Sequence, residues 1–196
     1  DSTPQIIRFQ DGQKTILYEY PNEESTGNPV LLSDLLTYSF DGYPANHFAL
    51  ILHGHANGLI GIGTDENPDN DTIECKPGLK CLTFQEIREV LESYPKLDLI
   101  DLDGCSAATF EAAFELNERS SFLVASAYRK WTPSYNYDEI NIQPSTDPRS
   151  LGVLMANAYV SQHMGKPRSP AGTISVLDLS FAGAVKTHVD GLAILL

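Results

Sequence analysis

Cys105 and His53 are the residues of this chain whose types and positions could do covalent chemistry. Cys105 ends the stretch Leu97-Asp98-Leu99-Ile100-Asp101-Leu102-Asp103-Gly104-Cys105, an apolar run alternating with aspartates. That pattern suits a strand of an α/β sheet. Ala107, Phe110, Ala113 and Phe114 follow at helical spacing, which predicts a strand-to-helix turn at the thiol. Open α/β sheets bind ligands at that edge, and a helix N-terminus favours a thiolate. A free Cys is more often a small packing residue, so Cys105 alone decides nothing.

The available bases are His47, His53, His55, His163 and His188. His53 alone ends an apolar run, His47-Phe48-Ala49-Leu50-Ile51-Leu52, and is followed by Gly54. If the two strands are neighbours, His53 and Cys105 open onto one edge of the sheet. Such a pair can do acyl transfer: the thiolate attacks a carbonyl carbon and the imidazolium protonates the leaving amine. The amides of Gly54 and Cys105 could hold the oxyanion, since a residue without Cβ lets a ligand approach its backbone. Two alternatives stay open at this point. His55 could be the base, or His53 and His55 could be a metal pair, although no third ligand is evident.

The elements that must position these residues follow from the rest of the pattern. Asp1 to Thr15 reads as a loose entry or a short strand, and Thr15 to Tyr20 as a strand stopped by Pro21. Leu31, Leu32, Leu35 and Leu36 mark a helix over Val30 to Phe40. Thr83-Phe84-Gln85-Glu86 is a capping box, opening a helix expected to reach Tyr94. Ser121 to Ala127 is a short strand, and Arg129 to Asp147 a long loop carrying Trp131. Leu151 to Met164 reads as a helix, Gly172 to Leu179 as a strand and Ser180 to Leu196 as a helix. Strands alternating with helices predict an α/β fold with a mainly parallel sheet covered on both faces.

Composition narrows the function classes. A chain of 196 residues holds one domain with a substantial core, and no segment approaches membrane-spanning length. The formal net charge of −13 argues against nucleic acid or an anionic membrane as partner. Gly58 to Gly63 is glycine-rich but lacks both phosphate-loop and dinucleotide fingerprints. Thr64 to Lys80 is an acidic loop of the kind calcium likes, yet its spacing fails the EF-hand pattern, so no cofactor is implied. Cys75 and Cys81 bracket a Pro-Gly turn. They read equally as a small disulfide loop, which would place the chain in an oxidising compartment, or as two loop thiols.

These segments resemble the clostripain family of cysteine peptidases, whose fold is the caspase-like three-layer α/β/α sandwich. Tyr43 to Gly54 is similar to that family's run into its His-Gly, and Asp101-Leu102-Asp103-Gly104-Cys105-Ser106 to its Asp-Ala-Cys motif. Glu111 to Leu116, Val124-Ala125-Ser126, Trp131, Tyr137 and Thr173 to Ser180 continue in family order. His53 also lies roughly 50 residues upstream of the Cys, as in caspases, although their local signature is absent. The chain departs from the family at Gly104, where Ala is usual, at Ser106-Ala107, where a bulky apolar pair is usual, and at Ala56-Asn57-Gly58.

The resemblance implies a Cys105–His53 dyad and a peptide or protein substrate with Arg or Lys before the scissile bond, through a thioacyl-enzyme. Asp103 would line the pocket for that basic side chain, with Ser126 as wall and Trp131 as rim. Self-cleavage after Lys76 or Lys80 is implied; a monomer is expected, and the disulfide reading of the cysteines points to a secreted or periplasmic protein. Residues 1–196 would form a single domain lacking the family's first strand and helix. The competing function is an inactive relative that binds peptides or a protein partner in the same cleft. An amidase or deacylase on the same dyad is a third.

Overall fold

The centre of the molecule is the aspartate-bearing strand. The computed structural model describes residues 3–63, 81–163 and 172–195. In chain order the strands are β1 (Gln5–Gln10), β2 (Gln13–Glu19), β3 (Ala49–His53), β4 (Ala56–Asn57), β5 (Gly61–Ile62), β6 (Leu82–Thr83), β7 (Leu97–Asp103), β8 (Ser120–Ala125) and β9 (Ser175–Asp178). The helices are α1 (Pro29–Gly42), α2 (Phe84–Leu91), α3 (Phe110–Leu116), α4 (Pro148–His163) and α5 (Ala182–Leu195).

The main sheet runs β3-β7-β8-β9, with β3, β7 and β8 parallel and β9 antiparallel at one edge. Its two faces bury different residues because side chains alternate along a strand. Leu97, Ile100 and Leu102 of β7 join Leu32, Leu36, Ile87, Leu91 and Leu116, which α1, α2 and α3 contribute from one side. Leu99 turns to the other side and packs with Val124 and with Met155, Ala158 and Tyr159 of α4. Helices therefore cover both faces of a mainly parallel sheet, the three-layer arrangement expected. Asp101 and Asp103 follow Leu99 at period two and so face the α4 side.

Local signals explain the helix boundaries. Thr83 accepts from the Glu86 amide at 3.1 Å and Glu86 reaches back to the Thr83 amide at 2.9 Å, the reciprocal capping box of α2. That helix ends at Leu91 rather than Tyr94. The Tyr94 ring leaves the helix line to stack on Phe40, and its hydroxyl donates to the Ser33 carbonyl at 2.8 Å. Asn28 caps α1 through the Val30 amide, with Pro29 at the first position.

The entry segment pairs β1 and β2 as an antiparallel hairpin with a register shift at Ile6/Ile7. Part of the glycine-rich stretch is strand: β4, β5 and β6 form a second small antiparallel sheet. Cys81 is disulfide-bonded, as one of the two sequence readings held. Cys75, the partner named in that reading, and Lys76 and Lys80 lie outside the described residues. Among the described residues no helix is long and apolar enough to cross a membrane.

Candidate active site

The register of β3 on β7 sets the site. His53 lies opposite Asp103 at the carboxyl ends of two parallel strands, and neighbouring positions on parallel strands point to one face. The His53 Nδ1 is 2.8 Å from Asp103 Oδ2. With the carboxylate accepting, Nδ1 carries the proton and Nε2 is left for other chemistry. Two residues beyond Asp103, the chain turns and presents Cys105.

These side chains open into one cleft of about 470 Å³, lined by His53, His55, Asp103, Cys105, Lys130 and Trp131 among others. The Cys105 sulfur accepts the Lys130 amide at 3.5 Å and lies 3.9 Å from the Lys130 carbonyl. Its hydrogen bonds thus run to the loop after β8, not to His53. Catalytic hydrogen bonds are often long without substrate, so a shared cleft is the informative observation. The expected strand-to-helix turn is looser than the sequence indicated. α3 begins only at Phe110, capped by the Thr109 hydroxyl. Residues 106–109 separate Cys105 from that first turn.

Gly104 and Gly58 account for two departures from the family pattern. A Cβ on Gly104 would lie 2.7 Å from both the Gly54 carbonyl oxygen and the Ala56 Cβ. A Cβ on Gly58 would lie 1.8 Å from the Ser106 carbonyl oxygen. The small sheet is therefore pressed against the turn that carries Cys105, and glycine is what lets the backbones approach. Ser106 takes a positive φ of 56°, an uncommon conformation for a residue with a side chain and one that functional turns often carry. Gly104→Ala should lower stability by about 1–3 kcal/mol through overpacking, read as a shift in the denaturant midpoint at unchanged slope.

Beneath the cleft lies a cluster that the sequence pattern did not indicate. The Lys130 ammonium is 3.0 Å from Asp101 Oδ1 and 3.0 Å from Asp103 Oδ1. It also donates to the Tyr135 hydroxyl at 2.6 Å and lies 4.6 Å from that ring's centroid. The Ser134 hydroxyl donates to Asp103 Oδ1. The Lys130 side chain is 1% exposed and the Asp101 side chain fully buried. Nothing in the local pattern of Tyr128-Arg129-Lys130 marks the last as an inward residue. The available signal was the demand side: two aspartates on the inner face of a buried strand require a cation.

Environment pulls the two carboxyls apart. Burial pushes Asp101 up to about 6, and the Lys130 charge and hydrogen bond offset only part of that. Burial acts on Asp103 in the same direction, but the Lys130 charge and hydrogen bonds from Ser134, Lys130 and His53 outweigh it and hold this carboxyl below its usual value. Asp101, raised from 3.8 to about 6 on folding, contributes stability that is complete below pH 3.8 and lost as pH rises through 6. Asp101→Asn removes that titration. Between pH 4 and 7 the wild type should lose roughly 2 kcal/mol relative to the variant, since a pKa difference of one between folded and unfolded chains is worth about 1.36 kcal/mol. Chemical melts at several pH values measure this.

Ser126 and the Gly54 amide are engaged in other contacts, although Gly54 itself lines the cleft. Ser126 is fully buried and is not part of the cleft. Its hydroxyl bonds the Tyr128 carbonyl and the Thr173 hydroxyl, each at 3.0 Å, so it pins the start of the cleft loop. The Gly54 amide donates to the Asp103 carbonyl at 3.2 Å. It continues the β3–β7 ladder and in this structure is not turned to an oxyanion; the amide of Cys105 remains the candidate. Trp131 does line the cleft, and its amide donates to the Tyr159 hydroxyl at 3.1 Å.

The other histidines separate by place. His47 pairs with Asp98 at 3.1 Å at the opposite end of the strands, and His163 bonds the Pro133 carbonyl. His55 lines the cleft beside His53. Among the described residues no group of three His, Cys, Asp or Glu could hold a metal ion.

Comparison with known proteins bears on the fold and the family. The chain is similar to clostripain of Hathewaya histolytica, 25% identical over 218 aligned positions that span 88% of this chain and 39% of that protein. Its fold is similar to a secreted C11 cysteine protease from Bacteroides thetaiotaomicron, solved with an irreversible peptide inhibitor, with a TM-score of 0.71 and 18% identity. That match covers 93% of this chain and 55% of the other. An inactive zymogen C11 protease from Parabacteroides distasonis gives a TM-score of 0.70 at 18% identity, over 93% of this chain and 50% of that one. At such identities the likeness speaks to the fold, which is the caspase-like sandwich expected. The chain spans roughly half or less of the length of each of these relatives. The clostripain family model matches residues 2–196, and the chain belongs to the clostripain family.

Proposed function

We propose that this chain carries the catalytic part of a cysteine endopeptidase that cuts after Arg or Lys. The observation that carries the reading is the shared cleft: His53 and Cys105 open into it from the ends of two parallel strands, with His53 Nδ1 already held by Asp103. Family membership supports the same chemistry. Cys105 as thiolate attacks the scissile carbonyl, its own amide faces the oxyanion, and His53 Nε2 protonates the leaving amine. Water then attacks the thioester, with His53 taking its proton, and frees the new carboxylate and the thiol. Asp103 orients the ring and neutralises the imidazolium formed on the way.

The preference for a basic side chain rests on charge. Asp103 lines the cleft and Asp101 lies beneath it, and this pair already holds one cation, the Lys130 ammonium, in the way it would hold a substrate's. The disulfide at Cys81 favours an oxidising compartment, in keeping with a secreted or periplasmic protein. Self-cleavage after Lys76 or Lys80 belongs to the same proposal. The test is a panel of Arg-, Lys-, Asp- and Leu-terminated reporter amides with wild type and Cys105→Ala, with the intact mass of each chain recorded. Cys105-dependent release from the Arg and Lys reporters is expected. No Cys105-dependent turnover on any reporter would leave the inactive peptide-binding module as the reading.

A further inference from the structure

The acidic recess under the cleft is already occupied by the chain itself. We propose that Lys130 is an internal competitor for the recess: its ammonium takes the place of a substrate's basic side chain and sets how strongly the site selects Arg and Lys. This rests on the reading of the cleft as a peptide site, and deepens it.

Three observations support the assignment. The Lys130 ammonium makes contacts of the kind a bound cation would make, to Asp101 Oδ1, Asp103 Oδ1 and the Tyr135 hydroxyl. Its three donors match these three acceptors, so no hydrogen bond is left over. The charges also close within the recess. Asp101 and Asp103 share the Lys130 charge and Asp103 also pairs with His53, so little negative charge is left for an incoming cation. With Lys130 withdrawn, one negative charge returns. Finally, Lys130 lines the cleft beside Trp131, and its amide contacts the Cys105 sulfur at 3.5 Å. The competitor is thus anchored next to the nucleophile.

The arrangement is more than a structural ion pair by its location. Among the described residues Asp103 is the carboxylate that lines the cleft, and it is the carboxylate Lys130 shares with His53. A substrate ammonium or guanidinium entering without displacing Lys130 would meet a like charge in a water-poor site. If it displaces Lys130, the side chain must leave on its four-carbon stem, which is long and flexible enough to do so. Either way Lys130 weakens the binding of basic residues.

Lys130→Met keeps the stem and removes the charge. The ratio of kcat/KM for Arg- and Lys-terminated over Leu-terminated reporters should rise about tenfold or more, the effect of one charge-assisted hydrogen bond. The gain should appear as a lower KM for the basic reporters rather than a higher kcat. A merely structural Lys130 would lower kcat for every reporter alike and leave the ratio unmoved. Because Lys130→Met strands a buried carboxylate, Asp101→Asn/Lys130→Met is tested beside it. This double variant removes the buried pair together and keeps the wild-type net charge, so a smaller rise, from the freed Asp103 oxygen alone, is expected.

Binding of an Arg-ended peptide, followed by calorimetry in the Cys105→Ala background, makes the test independent of turnover. Tighter binding by about tenfold when Lys130→Met is added supports the proposal even if no reporter is cut, in which case the peptidase reading alone fails. Turnover with an unchanged or lower basic-to-neutral ratio in both folded variants, and no tighter binding, overturns the proposal and leaves the peptidase reading standing.

Discussion

Cys105→Ala should lower kcat/KM on peptide amides by about 10⁴-fold or more, the scale on which removing a catalytic nucleophile acts. The expectation follows from position rather than from residue type. Cys105 stands at the carboxyl end of β7, in the cleft that His53 also lines. Alanine keeps the small Cβ and removes the atom that would carry the acyl group. It also removes the acceptor for the Lys130 amide, which is a weak bond to sulfur, so the fold should survive. A matched thermal melt shows that, and a variant as active as wild type in a folded state would exclude the thioacyl route.

His53→Ala should cost about 10²–10⁴-fold in kcat, the range for a positioned acid–base group. The His53 side chain is 59% exposed and its hydrogen bond runs to the Asp103 carboxylate, so its removal should scarcely affect stability. Asp103→Asn separates two contributions. The amide can still occupy the space but cannot balance the imidazolium, so kcat should fall less than in His53→Ala while the pH profile of kcat changes shape. If His55 were the base instead, His53→Ala would retain most activity and His55→Ala would not. A comparison of the two pH profiles decides between them.

Much of the framework was legible because it rests on short-range pattern. The alternation in β7 determines which residues share a face, and Asp101 and Asp103 fall on the inner one because Leu99 does. The capping box at Thr83 and Glu86 marked the start of α2. His53 stood apart from the other histidines by ending an apolar strand before a glycine. His47 lies on the same segment but at its start, where it pairs with Asp98.

What was not legible depends on where the chain returns in space. Lys130 sits between Arg129 and Trp131 in a loop whose surface character is the ordinary expectation for lysine. Only the fold shows its stem running inward to two buried carboxylates. The family resemblance implies Ser126 as pocket wall, and only the fold shows that Thr173 arrives from β9's lead-in to meet its hydroxyl. Two-residue strands such as β4, β5 and β6 leave no periodicity to read, so the small sheet was missed. Its close approach also explains Gly104 and Gly58, which from the sequence were only departures from a family pattern.

The central claim is that peptide hydrolysis passes through an acyl group on Cys105. The direct measurement is intact-mass analysis of the chain quenched in acid during turnover of an Arg-terminated peptide ester, followed by peptide mapping. A mass gain equal to the acyl group, mapped to the peptide bearing Cys105 and absent from Cys105→Ala, is the expected result. Turnover of the ester with no adduct on Cys105, or an adduct on another residue, would contradict the account.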